Sequence, residues 1–252
     1  MKKYFIYLLL LIMASCGISE DCFKGNGNQI TKTYPLEGFT KIKVYSGVGL
    51  VVKEGINYEV KINTSDNIID DIDVRLNGDM LVIKDNSTCN IARDYGQTKV
   101  VVTIPDGTVF PAIVELELHS KTEQKIESDG VLHSRVVRLF SLGDDGDEAG
   151  TGDFNVQVNN EQLVVESNTV SNYYVNGNTN QMLLNFYFGN GRFYGDAFYA
   201  QTIKVFHRGS NDMFVYPVNQ IEGTIFATGN VVLKNVPPIV DVEEVFRGRV
   251  IY

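Results

Sequence analysis

The stretch NFYFGNGRFY, residues 185–194, places two aromatic clusters on either side of a Gly-Asn-Gly turn. Taken alone it predicts a β-hairpin, because glycines in the turn permit positive φ angles. The same pattern of glycine and aromatic residues recurs, however, in residues 181–200, 201–220 and 221–240. An antiparallel hairpin gives no reason for residue i to resemble residue i+20. A solenoid does, because successive coils place these residues directly over one another.

Stacking the three rows without gaps brings residues of similar type into columns. The columns are Gly189, Gly209 and Gly229; Asn190, Ser210 and Asn230; Phe186, Phe206 and Phe226; Tyr173, Phe193, Met213 and Leu233; and Leu163, Leu183 and Ile203. We therefore predict a β-solenoid with coils of about 20 residues. The Gly-Asn pairs would form its corners, where small or left-handed residues let the chain bend.

The aromatic columns have two interpretations. Large apolar residues at a fixed period are most often buried in the core or stacked along the solenoid wall. The functional alternative is a platform on which carbohydrate rings stack, and its candidates are Tyr187, Tyr194, Tyr199 and Tyr216. A hydroxyl group on an apolar ring tolerates a half-wet surface better than phenylalanine does.

The first fifteen residues, MKKYFIYLLLLIMAS, resemble a secretory signal. Two lysines precede an apolar run from Tyr4 to Met13, which is too short to span a bilayer as a helix. The end of the segment, Met13-Ala14-Ser15-Cys16, resembles a bacterial lipobox, which predicts lipidation of Cys16. An ordinary cleaved signal that ends near a cysteine is the alternative. We expect residues 1–15 to be a lipoprotein signal peptide.

Beyond Cys16, residues 16–35 are polar and predict a flexible tether, followed by a single β-solenoid head domain over residues 36–252. Ser19-Glu20-Asp21 resembles an acidic signal for export to the outer face of the outer membrane of Gram-negative bacteria, and it equally fits a solvated tether. The prediction is thus an outer membrane lipoprotein, at the cell surface or on the periplasmic face.

The negative net charge of the chain argues against some classes of binding partner. The formal net charge is −9, and removal of Lys2 and Lys3 with the signal makes it more negative. Binding to nucleic acid or to anionic lipid headgroups needs a basic face, so neither is expected as a partner. Cys22 and Cys89 remain after Cys16, either as a disulfide or as two free thiols, and no Cys/His spacing predicts zinc.

The head is predicted to be β throughout. Val/Ile-rich runs separated by Gly, Asn and Asp turns predict strands at 40–52, 58–63, 68–76, 80–84 and 99–104. Asn77-Gly78 predicts a hairpin between two of them. Residues 131–142 fit a short helix or two strands, and we favour strands.

Three sequence elements together resemble the putative auto-transporter adhesin, head GIN domain family of secreted bacterial proteins. The elements are GFTKIKVYSGVGLVVKEG (38–55) followed by DVRLNGDMLVIKD (73–85); KVVVTIP (99–105); and TGNVVLKNVPPIVDVEEVFRGRVIY (228–252). The resemblance extends over residues 36–252. It implies an all-β, right-handed parallel β-helix-like solenoid, with N-terminal strands and hairpins forming its first part, and an adhesive role. The repeat loses its phase at residues 142–151.

The sequence contains few residue patterns that would predict a metal-binding site. The acidic, Gly-rich loop at 143–153 contains calcium candidates, although its spacing fails the EF-hand pattern and a solvated loop explains it equally well. The candidates are Asp144, Asp145, Asp147 and Asp153. No other metal site and no cofactor is predicted, because His119, His133 and His207 have no acidic residue or second histidine at ligand spacing. His207, in the column of Tyr187 and Ala227, is predicted to lie outward.

No catalytic motif is present. The sequence lacks Gly-x-Ser-x-Gly, P-loop and Rossmann patterns, and the acidic residues of the aligned rows, Asp196, Asp212 and Glu222, share no column. We predict a non-catalytic, lipid-anchored cell-surface binding protein, an adhesin for a glycan or a surface protein. The alternatives are a structural envelope protein that self-assembles into a homo-oligomer through exposed ladder ends, and a polysaccharide-active β-helix enzyme.

Overall fold

The computed structural model describes residues 20–87, 92, 94, 96–106, 108, 114–143 and 148–252. Within these residues the fold is all-β, with two short 3-10 turns and no α-helix. Its strands form one mixed sheet of 17 strands. The strands are β1 (Gln29–Tyr34), β2 (Lys41–Tyr45), β3 (Val48–Gly55), β4 (Glu59–Ser65), β5 (Ile72–Asn77), β6 (Met80–Asp85), β7 (Thr98–Pro105), β8 (Glu115–Lys121), β9 (Ile126–Leu132), β10 (Val136–Ser141), β11 (Phe154–Ser167), β12 (Asn172–Phe186), β13 (Arg192–His207), β14 (Met213–Ile225), β15 (Val231–Leu233), β16 (Ile239–Glu244) and β17 (Val250–Ile251).

Two ladders of parallel strands run through the sheet. The first ladder is β7–β3–β9, then the first parts of β11 to β14, then β15 and β17. The second ladder is β6–β2–β8–β10, then the second parts of β11 to β14, then β16. The antiparallel pairings are β1–β4, β4–β7 and β5–β6. The last of these is the hairpin predicted at Asn77-Gly78, and Gly78 has a φ of +63°.

The predicted stacking of residue i over residue i+20 is confirmed in outline. In the first ladder Tyr173 pairs with Phe193, and Phe193 pairs with Met213. The spacing between paired residues nevertheless varies from 17 to 21, and bulges interrupt the pairing of β12 with β13 and of β13 with β14. Bulges of this kind shift the register of a strand and reverse which side chains face inward.

The register shift overturns several predicted columns. Phe186 pairs with His207, and His207 pairs with Ile225, so Phe206 belongs to the neighbouring column. His207 is therefore fully buried, and its predicted outward position is wrong. Leu163 likewise pairs with Met182.

The repeat loses its phase where the sequence indicated. Ser141 of β10 pairs with Ser167 of β11, and the whole acidic loop lies between these two residues in the sequence. At the end of that loop the carbonyl of Gly150 accepts a hydrogen bond from the hydroxyl of Ser141, at 3.2 Å. The loop is thus an insertion between two coils. Val131 to Leu142 contains the last two residues of β9 and the whole of β10, so it forms strands and not a helix, as favoured from sequence.

The segment predicted as a flexible tether contains ordered structure. Residues 29–34 form β1, which pairs along its whole length with β4. Most side chains of β1 are exposed, and its sequence does not alternate between apolar and polar residues. Ile30 and Tyr34 nevertheless pack against the core. Cys22 is in a disulfide, which removes the free-thiol alternative for this residue. Cys16 and Cys89 lie outside the described residues.

Candidate functional site

Three aromatic rings stack on the outer side of the first ladder. The rings of Tyr174 and Tyr194 lie 4.7 Å apart at an interplanar angle of 2°, and those of Tyr194 and Phe214 lie 5.5 Å apart at 7°. Each residue follows a buried one, Tyr173, Phe193 and Met213. Because side chains alternate along a strand, the inner column packs the core and the outer column faces solvent.

A second pair of rings extends this surface. Tyr199 and Tyr216 meet edge-to-face with their ring centroids 4.7 Å apart. Tyr216 lies two residues after Phe214 on β14, with the buried Val215 between them, so both rings are on the same side of the sheet. We call Tyr174, Tyr194, Phe214, Tyr199 and Tyr216 the aromatic face. Tyr174 and Tyr199 are 40% and 47% exposed.

A charged pair borders the aromatic face. The Nζ atom of Lys234 lies 4.9 Å from the centroid of the Phe214 ring and 2.9 Å from Oδ1 of Asp196. On the other side, burial and the nearby Asp153 carboxylate raise the pKa of Tyr174, so its hydroxyl keeps its proton at neutral pH. The arrangement presents the edges of stacked aromatic rings, with polar groups for hydrogen bonds beside them, which suits an amphipathic ligand.

Tyr187 is separate from the aromatic face. Its ring lies 5.8 Å from Phe206, which lies 4.9 Å from Phe226, in a column on the outside of the second ladder. Its hydroxyl donates to Oε2 of Glu166, at 3.2 Å, and burial followed by that carboxylate raises its pKa. Of the four tyrosines predicted from sequence, the structure therefore brings together Tyr194, Tyr199 and Tyr216.

Sequence reasoning missed two members of the aromatic face, Tyr174 and Phe214. Both pair with Tyr194 at a spacing of 20 residues, so the repeat itself contained the signal.

Of the four calcium candidates in the acidic loop, Asp153 is the one among the described residues, since Asp144, Asp145 and Asp147 lie outside them. Oδ1 of Asp153 accepts hydrogen bonds from the backbone and side-chain nitrogens of Asn172, at 3.1 and 3.0 Å. Asp212 makes the same two contacts with Asn230, both at 2.9 Å. Asp153 thus serves a repeated corner contact that joins successive coils.

No helix in the described part of the chain has the length and apolar character needed to cross a membrane. The chain is an all-β head domain, and it belongs to the family described as putative auto-transporter adhesin, head GIN domain, whose model matches residues 38–237. The resemblance inferred from the sequence elements is confirmed. A search of functionally curated proteins gives no match.

Solved structures share the fold. A putative adhesin from Bacteroides fragilis NCTC 9343 is 16% identical, with a TM-score of 0.72 over 88% of this chain and 96% of that one. A putative adhesin from Parabacteroides distasonis ATCC 8503 is 11% identical, with a TM-score of 0.61 over 90% and 98%. A structure from the same organism named a putative lipid binding protein is 17% identical, with a TM-score of 0.57 over 90% and 98%.

Proposed function

We propose that this protein is a non-catalytic, lipid-anchored adhesin of the cell surface, and that its aromatic face binds a glycan. The observation that carries the proposal is the stack of Tyr174, Tyr194 and Phe214, whose parallel rings lie on the outer side of three successive coils, with Tyr174 exposed and the other two half-buried. Sugar rings have apolar C–H faces that pack on aromatic rings, and their hydroxyls need polar neighbours such as Lys234 and Asp196.

The aromatic face is pre-organised for binding. Each ring is already held by its neighbours in the stack and by a ladder strand, so binding would immobilise few side chains. The cavities along the described outer surface are shallow and open, which favours many small contacts over one enclosed pocket. An extended chain of sugars laid along the coils would use such a surface.

We propose that the coils are right-handed. Support comes from the parallel direction of the strands in both ladders. Connections between parallel strands of one sheet are right-handed in about 98% of cases, because right-twisted strands favour that crossover.

The anchor is proposed from the N-terminal sequence. Residues 1–15 would be cleaved and Cys16 lipidated, leaving a tether that ends at the disulfide of Cys22, with the head beginning at β1 instead of residue 36. Treatment of intact cells with a non-penetrating protease tests surface exposure, with a periplasmic protein as control. Loss of the protein supports an adhesin that faces outward; survival until the outer membrane is opened contradicts it.

Glycan binding is tested by probing a glycan array with the purified chain. Tyr194→Ala removes the central ring of the aromatic face, whereas Phe206→Ala removes the central ring of the column on the second ladder. Both residues are on β13 and both are half-buried, so the two variants lose similar area. Loss of array binding by Tyr194→Ala alone supports the proposal. Equal binding by both variants, or no bound glycan, contradicts it.

Self-assembly is a second candidate, favoured by the last coil. Here β16 pairs only with β14, and β17 only with β15, so each leaves one edge without a strand among the described residues. Exposed apolar side chains cluster in this part of the chain: Val236, Ile239, Val245, Phe246, Ile251 and Tyr252. Exposed strand edges are sites for pairing with another chain. Sedimentation of the ligand-free protein distinguishes the candidates, because an oligomer dissociated by Phe246→Glu would favour assembly.

A further inference from the structure

Three potential metal ligands converge at one edge of the first ladder. Glu54 lies near the end of β3, Asp106 directly follows β7, and His133 directly follows β9. In the sheet β3 lies between β7 and β9 and runs parallel to both. The carboxyl ends of all three strands therefore meet, which brings together residues that are far apart in sequence.

The cluster is compact and is held by the backbone. One ligand atom from each of the three side chains lies within 4.8 Å of the others. Oε2 of Glu54 lies 2.8 Å from Nδ1 of His133, and Oε1 accepts the backbone N–H of His133 at 2.6 Å. The Glu54 side chain is only 7% exposed. Its carboxylate is thus fixed and largely desolvated beside the imidazole.

Asp106 contributes one carboxylate oxygen to this cluster. Its Oδ1 accepts hydrogen bonds from the backbone nitrogen and hydroxyl of Thr108, at 2.7 and 2.6 Å. The backbone N–H of Asp106 donates to the carbonyl of Gly55, at 2.9 Å, and so ties the ends of β7 and β3 together. Within the described residues, Oδ2 of Asp106 has no hydrogen-bond donor, so it is free to bind a cation.

We propose that Glu54, Asp106 and His133 form a binding site for a divalent transition metal ion of the zinc type. Imidazole nitrogen together with carboxylate oxygen suits zinc, whereas calcium takes oxygen ligands and usually six to eight of them. The ion would replace the hydrogen bond between Nδ1 of His133 and Oε2 of Glu54, with these two atoms moving apart to about 3.3 Å as tetrahedral zinc ligands require, and with Asp106 as the third ligand. A fourth position would remain for water or a donor from a binding partner.

The chain contains a matched pair that lacks the third ligand. Nε2 of His119 lies 2.8 Å from Oε2 of Glu117, the same contact distance as in the cluster. Both residues are on β8, and the His119 ring stacks on Phe140 with its centroid 4.5 Å away. Within the described residues no third ligand group joins them. His119 therefore provides the control for His133.

Calorimetric titration of the purified full-length chain with ZnCl2 tests the site, with MgCl2 and CaCl2 titrated in parallel. Asp106→Asn keeps the oxygen that Thr108 uses, and His133→Gln keeps the backbone contact to Glu54. Each variant should weaken zinc binding at least about tenfold, the size of loss typical when a metal site is altered. His119→Gln should bind zinc as tightly as the unmodified chain. Zinc should raise the melting temperature of His119→Gln and of the unmodified chain.

A second measurement uses only the unmodified chain and so tests the site even if a variant fails to fold. Addition of paramagnetic Co2+ to the unmodified chain should broaden the imidazole proton signals of His133 before those of His119. Zinc affinity unchanged by both Asp106→Asn and His133→Gln would overturn the proposal. Absence of zinc binding, or equal broadening of both histidines, would also overturn it and leave Glu54 and His133 as a structural hydrogen-bonded pair.

Discussion

The imidazole of His207 packs directly against the backbone of Gly229: a Cβ atom at Gly229 would lie 2.4 Å from Nε2 of the ring. The ring is fully buried between Phe186 and Ile225 in the column of inward residues. Among the described residues, neither ring nitrogen makes a hydrogen bond of normal geometry. The same burial lowers the pKa of His207 to about 4, and the neighbouring backbone of Asn211 and the Asp212 carboxylate offset only part of this effect.

Acid should destabilise the protein through His207. The unfolded chain binds the proton near the ordinary pKa of 6.5, while the folded chain resists it until about pH 4. Unfolding therefore takes up a proton in this window, and stability falls as the pH falls from about 7 to 4, by at most about 3 kcal/mol. Melting temperatures measured across this range should show the loss.

The control for this prediction is His207→Leu, which fills the site with an apolar side chain of similar size. Its melting temperature should change less between pH 7 and pH 4 than that of the unmodified chain. His119, whose pKa burial also lowers, contributes in the same direction, so some slope will persist. An identical slope in both proteins would show that His207 does not control acid stability.

Gly229→Ala should destabilise the fold strongly. The added Cβ would lie 2.2 Å from the carbonyl oxygen of Asn211 as well as against His207, so the backbone of two coils would have to separate. At Gly209 the nearest atom would be Cε1 of His207, at 3.1 Å. We expect a loss of about 2–4 kcal/mol for Gly229→Ala and about 1 kcal/mol or less for Gly209→Ala. Urea unfolding of both variants measures the difference; equal losses would contradict the packing described.

Reduction of the Cys22 disulfide should destabilise the N-terminal part of the head. Cys22 precedes β1, which pairs along its whole length with one edge of β4. A typical disulfide contributes about 2–4 kcal/mol. The melting temperature should fall on addition of a reductant, and Cys22→Ser should melt at the lower temperature with or without it. A reductant effect that persists in Cys22→Ser would place the sensitive bond elsewhere.

The sequence predicted the stacking of the coils because Gly, Asn and aromatic residues recur at a nearly constant spacing. It could not predict the side-chain faces reliably, because the bulges in β12–β13 and β13–β14 change the register by one to three residues. Phe206 was therefore grouped with the buried Phe186, and His207 was placed outside. β1 was missed because its polar, mostly exposed residues resemble a loop.

The aromatic face could be predicted in part from the sequence, whereas the proposed metal site could not. Tyr194, Tyr199 and Tyr216 were identified because they lie within adjacent repeats. The cluster of Glu54, Asp106 and His133 could not be found by spacing, since its ligands come from three strands whose order in the sheet differs from their order in the chain. Only the placement of β3 between β7 and β9 brings them together.

The most direct test of the adhesin account is the dissociation constant for the glycan that binds most tightly on the array. The double variant Tyr174→Ala/Tyr194→Ala should bind at least about tenfold more weakly than the unmodified chain, because two stacked rings of the binding surface are lost. Phe206→Ala/Phe226→Ala, which removes two rings from the other column, should bind normally. Unchanged affinity in the first double variant, or an equal loss in the second, would contradict the assignment of binding to the aromatic face.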